Sequence, residues 1–139
     1  MLQDQHRKVA VTNTPLVAIV DDDETVCEAI KEFIETAGLS ARAFASAEAF
    51  LDSDFVDRVS CLVADVQMPG LDGLQLHRKL VDAGHNIPVI FITAFPNDAV
   101  RTRALQAGAI CLLKKPFDPA VLLEGIRSAV EGSERRPEP

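Results

Sequence analysis

The chain has 139 residues with 47% hydrophobic and 25% charged side chains, which allows one domain with a real core and excludes a disordered or fibrous protein. A net charge of −7 makes it a poor holder of a nucleic-acid backbone or an anionic membrane surface. Cys27, Cys61 and Cys111 are odd in number, far apart and in apolar company. They read as reduced thiols of a cytoplasmic protein, and no apolar run approaches the ~18 residues of a membrane span.

Residues 1–14 are polar and without period, and are expected to form a flexible leader. Leu16 to Val20 is β-rich and stops at the acids Asp21, Asp22 and Asp23. Val26, Ile30, Phe33, Ile34 and Ala37 then recur at helical spacing until Gly38. A short, weak strand is predicted from Ala41 to Phe44, and a helix capped by Ser46 that carries Phe50 and Leu51. Cys61 to Ala64 forms the next strand and runs into Asp65, and the loop Met68 to Gly73 leads to a helix bearing Leu74, His77, Leu80 and Val81. Pro88 to Ile92 is a strand ending at Thr93, followed by a helix from Asn97 to Ala107. The last strand is predicted over Ala109 to Leu113. Asp118 as cap and Pro119 at the first helical position open a final helix through Val130. Residues 132–139 have the composition of a tail or linker stub.

Five βα repeats with nearly continuous apolar strands predict an α/β fold with a five-stranded parallel sheet covered on both faces. In such folds the chemistry gathers outside the carboxyl ends of the strands. Four of the five ends carry polar groups suited to phosphate: Asp21, Asp22 and Asp23, then Asp65, then Thr93, then Lys115. Three clustered carboxylates need a counter-charge, which a hard divalent cation such as Mg²⁺ supplies through oxygen ligands. Lys115 adds a mobile positive charge, Thr93 a hydroxyl donor, and an Asp carboxylate can attack phosphorus itself.

Ile19-Val20-Asp21-Asp22-Asp23, Val63-Ala64-Asp65-Val66-Gln67-Met68-Pro69-Gly70, Phe91-Ile92-Thr93-Ala94 and Lys114-Lys115-Pro116-Phe117 resemble the four signatures of bacterial response-regulator receivers. The resemblance spans roughly residues 15–131. Phe44-Ala45-Ser46-Ala47-Glu48-Ala49-Phe50 is most similar to receivers of the nitrogen-fixation regulator subfamily. It implies a doubly wound, flavodoxin-like sheet of order 2-1-3-4-5. It also implies that Asp65 accepts phosphate from a phosphohistidine on a sensor kinase or a histidine phosphotransfer protein. Asp22, Asp65 and the backbone carbonyl of Gln67 would ligate Mg²⁺, and Asp21 would hold a metal-bound water. Thr93 and Lys115 would bind the phosphoryl oxygens, and Lys115-Pro116 would be a cis peptide. The kinase would dock on the first helix near Val26 and Ile30 and on the loop after Thr93.

One departure stands out. Receivers usually carry Tyr or Phe three residues before the Lys as a packing reporter of the switch, and this chain has Leu112 there. Phe95 is expected to overhang the site and slow loss of the phosphate.

Read alone, each of these residues has an ordinary explanation: Asp23 and Glu24 as first-turn acids, Asp72-Gly73 as a turn, His6, His77 and His85 as surface residues, and Arg101, Arg103 and Arg127 as solvated helix faces. A haloacid-dehalogenase-like phosphatase is the enzyme alternative, with Asp21 as nucleophile and Asp23 as acid/base. That family needs a late acidic pair absent here, and it leaves Asp65 without a role. The receiver reading predicts no turnover enzyme, only self-phosphorylation and dephosphorylation. It leaves room for a phosphorylation-dependent homodimer. No helix-turn-helix or catalytic pattern follows residue 131, so the output is expected to be a protein target or a separate output domain, and the Met1 start favours a stand-alone regulator.

Overall fold

Apolar runs that stay apolar on both faces become central strands, because each face must meet a helix layer. The computed structural model describes residues 15–135 and bears this out. Five strands, β1 (Leu16–Val20), β2 (Ser40–Phe44), β3 (Cys61–Asp65), β4 (Val89–Thr93) and β5 (Cys111–Lys114), alternate with five helices. These are α1 (Glu24–Thr36), α2 (Ala47–Leu51), α3 (Gly73–Asp82), α4 (Asp98–Gln106) and α5 (Pro119–Arg135). The sheet is wholly parallel, in order β2-β1-β3-β4-β5.

Residue alternation along the strands divides the core into two layers. Val17, Ile19, Val63, Ile90 and Ile92 face α1 and α5, where Ile30, Ile34, Leu122 and Ile126 are buried. Ala18, Leu62, Ala64, Val89 and Phe91 face the other side, against Phe50, Leu74, Leu76, Leu80 and Ala104. The β3 and β4 strands are buried at every residue, as their position inside the sheet requires.

Local signals account for most boundaries. Asp23 caps α1, its carboxylate accepting from the N–H groups of Thr25 and Val26. Ser46, Asn97 and Asp72 cap α2, α4 and α3, the last in a reciprocal box with Gln75. Gly38 ends α1 at φ +93°, a conformation that suits a residue without Cβ.

Besides one-residue extensions at Ser40 and Lys114, three edges differ from the sequence expectation. The predicted start of the last strand at Ala109 gives way to Cys111, because the Ala109 N–H closes α4 on the Ala104 carbonyl and the Ile110 N–H goes to Val89. Pro88 lacks an N–H, so β4 begins at Val89 while the Pro88 carbonyl still accepts from Leu62. The final helix does not stop at Val130 but continues to Arg135, since one glycine costs a helix only ~1 kcal/mol and Glu and Arg favour it. The expected leader and residues 136–139 lie outside the described residues.

Cys27 and Cys61 are buried free thiols and Cys111 is half-buried. Burial, reinforced by the Asp21 charge, pushes the Cys27 thiol up to about 11, and burial pushes Cys61 up to about 12. His77 is not a surface residue: it is half-buried, its ring meets Phe91 edge-on at 6.0 Å, and burial lowers its pKa. Arg127 is also not wholly solvated, since its guanidinium reaches the Ala37 carbonyl at 3.4 Å. No helix among the described residues is long and apolar enough to cross a membrane.

Ile126 is fully buried between α5 and the sheet. Ile126→Ala is expected to cost about 2–5 kcal/mol, read as a lower urea midpoint with an unchanged slope.

Candidate functional site

All the polar strand ends emerge at one edge of the sheet, because parallel strands share a direction. The ladder continues one residue past the strands and so sets the backbone there. The Asp21 N–H donates to the Phe44 carbonyl at 3.1 Å, Val66 to Ile92 at 2.8 Å, and Lys115 to Thr93 at 2.8 Å. Beyond these bonds the loops begin.

The β1 and β3 strands are neighbours, so Asp21 and Asp65 meet at their ends. Asp21 is fully buried, Asp65 is 5% exposed, and Asp22 is exposed. Carboxylate oxygens of all three lie within 4.8 Å of one another. The Lys115 ammonium bridges Asp21 at 2.9 Å and Asp65 at 3.1 Å. Three carboxylates against one ammonium leave the cluster with two negative charges uncompensated.

The electrostatic strain falls on Asp65. Burial raises its pKa and the Asp21 charge adds to this, against the N–H of Gln67 at 3.0 Å and the Lys115 ammonium, which favour the ionised form. Lys115 is pulled down by burial, but its hydrogen bonds to Asp21 and Asp65 outweigh that and leave its pKa raised. The lysine is firmly charged.

Thr93 ends β4, fully buried, and its Oγ1 accepts from the Phe95 N–H at 3.1 Å, which leaves its proton free to donate. The Lys115-Pro116 peptide is cis, as the resemblance implied. Leu112 lies two strand positions from the Lys114 that pairs with Thr93, directly beside Phe91, and packs half-buried on the α3–α4 side. Asp21, Asp22, Asp65, Gln67, Thr93 and Lys115 are thus gathered at one sheet edge.

Other predicted roles are not met. Asp23, the acid/base of the phosphatase alternative, spends its carboxylate on capping α1, and nothing supports that alternative. The Phe95 ring is 68% exposed, so it offers no fixed cover over the site.

Three contributions escaped the sequence reading. The Cys27 thiol donates to the Asp21 carbonyl at 3.2 Å, Glu48 reaches the loop after β3, and Gly73 packs so closely that a Cβ there would collide with the Asp65 carbonyl. Asp72-Gly73 is therefore more than a turn. No local pattern announces any of the three.

A family model described as the response regulator receiver domain matches residues 17–127. The chain belongs to that family. This receiver is 40% identical over 116 residues to the response regulator protein TmoT of Ectopseudomonas mendocina, covering 84% of the chain and 53% of TmoT. It is 35% identical over 114 residues to the transcriptional regulatory protein FixJ of Azorhizobium caulinodans, covering 82% of the chain and 54% of FixJ. The crystal structure of FixJ-N superposes with a TM-score of 0.75 at 37% identity, covering 84% of this chain and 94% of that one. The receiver spans about half the length of these curated relatives. As a response-regulator receiver it is a signalling domain of a two-component system.

Asp65 already has a folded-state pKa above its unfolded value, so its contribution to stability is present at low pH and is lost as pH rises through the carboxylate range. Removing Lys115 would raise that pKa further. Lys115→Ala is expected to cost the metal-free receiver about 1–3 kcal/mol near neutral pH, and the deficit should vanish below the carboxylate range; urea denaturation at the two pH values reads the difference.

Proposed function

We propose that Asp65 is the phosphoacceptor of this receiver and that its phosphorylation shifts the domain to an active conformation. The observation that carries this reading is the buried Asp65 carboxylate, set against Asp21 and Asp22 and bridged by the Lys115 ammonium. An Asp65 oxygen would attack the phosphorus of a phosphohistidine in line. The P–N bond breaks, the imidazole leaves, and an acyl phosphate forms. Little else is asked of the protein beyond position and charge.

The donor set fits a hard divalent cation: oxygen ligands only, two charges uncompensated, and the Gln67 residue held next to Asp65 through its N–H. Asp22, Asp65 and the Gln67 carbonyl would hold Mg²⁺, with Asp21 on one of its waters. When bound, Mg²⁺ would shield the phosphoryl oxygens from the carboxylates. Lys115 would exchange one carboxylate for a phosphoryl oxygen, and the free Thr93 hydroxyl proton would turn to another. The domain would act only on itself, and no turnover of an external phosphoester follows from this chemistry.

The phosphodonor is a histidine kinase or phosphotransfer protein. An apolar groove of about 410 Å³, lined by Val26, Ile30, Phe33, Lys115, Phe117 and Leu122, opens between α1 and the start of α5 and supports docking there. On the far side, Leu112 and the α4 face would carry the signal to a protein target or an output domain, with a phosphorylation-dependent homodimer as one form of that readout. The named relatives include a transcriptional regulatory protein, which supports gene control as the output of the whole protein. Two-component membership and three free thiols support a cytoplasmic setting.

Incubation with a small acyl-phosphate donor and Mg²⁺, followed by intact-mass measurement, tests the core of this reading. One phosphoryl group per chain is expected, lost on chelation and lost in Asp65→Asn, with Lys115→Ala slowed by roughly 100-fold or more. Undiminished incorporation in Asp65→Asn would overturn it.

A further inference from the structure

Under the phosphoacceptor reading the loop from β3 to α3 would present the Gln67 carbonyl to the cation, and it then turns back into a helix. Its two ends are anchored, one to the neighbouring strand β4 and the Asp65 carboxylate, the other at the start of α3. Val66 donates to Ile92 at 2.8 Å and Gln67 to the Asp65 carboxylate at 3.0 Å, while Asp72 and Gln75 exchange bonds of 2.9 and 2.8 Å at the start of α3. The crown between them, Met68 to Leu71, is different. Among the described residues its single hydrogen bond runs from the Leu71 N–H to Glu48 Oε2, at 3.2 Å.

Gly70 shows how closely that carboxylate seats. The residue has φ +75°, and a Cβ added to it would stand 2.8 Å from the same Glu48 oxygen. The left-handed backbone calls for glycine here, and the Glu48 carboxylate lies against it. The Glu48 backbone is fixed by its surroundings, while its side chain is exposed. It lies in the first turn of α2, where Ala47 and Phe50 are buried and Ser46 caps the helix. α2 follows directly from β2, whose Phe44 carbonyl receives the Asp21 N–H. The Glu48 carboxylate therefore ties the element beside Asp21 to the loop that follows Asp65.

We propose that Glu48 is a positioning residue of the phosphoacceptor site, holding the β3–α3 loop so that the Gln67 carbonyl is presented beside Asp65. This deepens the phosphoacceptor reading and rests on it. The bond is exposed, so its worth is modest, and it depends on an acceptor oxygen rather than on the charge. Gln can supply that oxygen and Ala cannot.

The test compares the full chain with Glu48→Ala and Glu48→Gln, reading amide hydrogen exchange by NMR and Mg²⁺ binding by calorimetry. In Glu48→Ala the Leu71 amide is expected to exchange about three- to ten-fold faster and Mg²⁺ to bind more weakly by a similar factor, while amides of β1 and β3 keep their protection. Glu48→Gln should recover most of both. Unchanged Leu71 exchange and Mg²⁺ affinity in Glu48→Ala would overturn the proposal. So would a Gln variant as impaired as the Ala variant, or an acceleration spread evenly over the sheet. If the native chain takes up no Mg²⁺, the phosphoacceptor reading fails instead, and the Leu71 comparison still decides whether Glu48 holds the loop.

Discussion

Two buried carboxylates on adjacent strands share one ammonium, and the rest of the molecule is arranged around that constraint. Asp21 and Asp65 come together because β1 and β3 are neighbours in a parallel sheet, so their exits lie side by side with little water between them. Burying like charges this close is unfavourable unless something opposes it. Lys115 opposes it from the end of β5, two strands from Asp65 and three from Asp21, its flexible stem reaching past β4 to both. With Asp22 added, the site keeps an excess of negative charge. It is receptive to a divalent cation by charge, and to a phosphoryl group only once that charge is met.

The sheet carries the cost of keeping these groups in place. Asp21, Asp65, Thr93 and Lys115 stand at, or one step beyond, strands whose ladder bonds continue under them, so two carboxylates, the hydroxyl and the ammonium project from backbone that is held in place. Side chains that look like surface polarity in the sequence complete the frame. Asp23 caps α1 and also donates its N–H to Asp21 Oδ1 at 2.9 Å, and the Cys27 thiol satisfies the Asp21 carbonyl from below. These partners hold the buried Asp21 carboxylate in place, and so fix its charge beside Asp65.

Much of this was legible before any coordinates. Strand identity followed from unbroken apolar runs, helix starts from Ser46, Asn97 and Asp118, and the site from polar residues recurring where strands end, whereas the caps at Asp23 and Asp72 emerged only in the structure. What was not legible is long-range and depends on shape. Nothing near Glu48 in sequence says that its carboxylate meets a loop 23 residues later, because the α2–loop distance is set by packing of Phe50 and Leu74 in the shared layer. Gly73 looks like a turn former until the approach of α3 to Asp65 is seen. The His77 environment is set by Phe91 on another element, and a period of helical spacing cannot distinguish the edge of a buried face from its centre. Composition also misled at the end of α5, where a polar, glycine-containing stretch remains helical because nothing in it is a strong breaker.

The same packing bears on how a receiver with Leu112 can transmit a change at Thr93. Strand alternation puts Phe91 and Thr93 on the α3–α4 side, and Leu112 lies beside Phe91 in the same layer. An aromatic ring there would lever neighbouring groups by swinging as a rigid plate; an isobutyl group cannot reach as far. The helix that must respond, however, is lightly held. α4 buries Ala104 alone, whereas α3 buries Gly73, Leu74, Leu76 and Leu80, and α1 buries Cys27, Ile30 and Ile34. Few buried apolar contacts mean a low free energy for local displacement. A small reporter would suffice under the proposed function, because the element it would move is this loosely anchored. Under the proposed function the mechanical demand shifts from the side chain that senses Thr93 to the helix that yields.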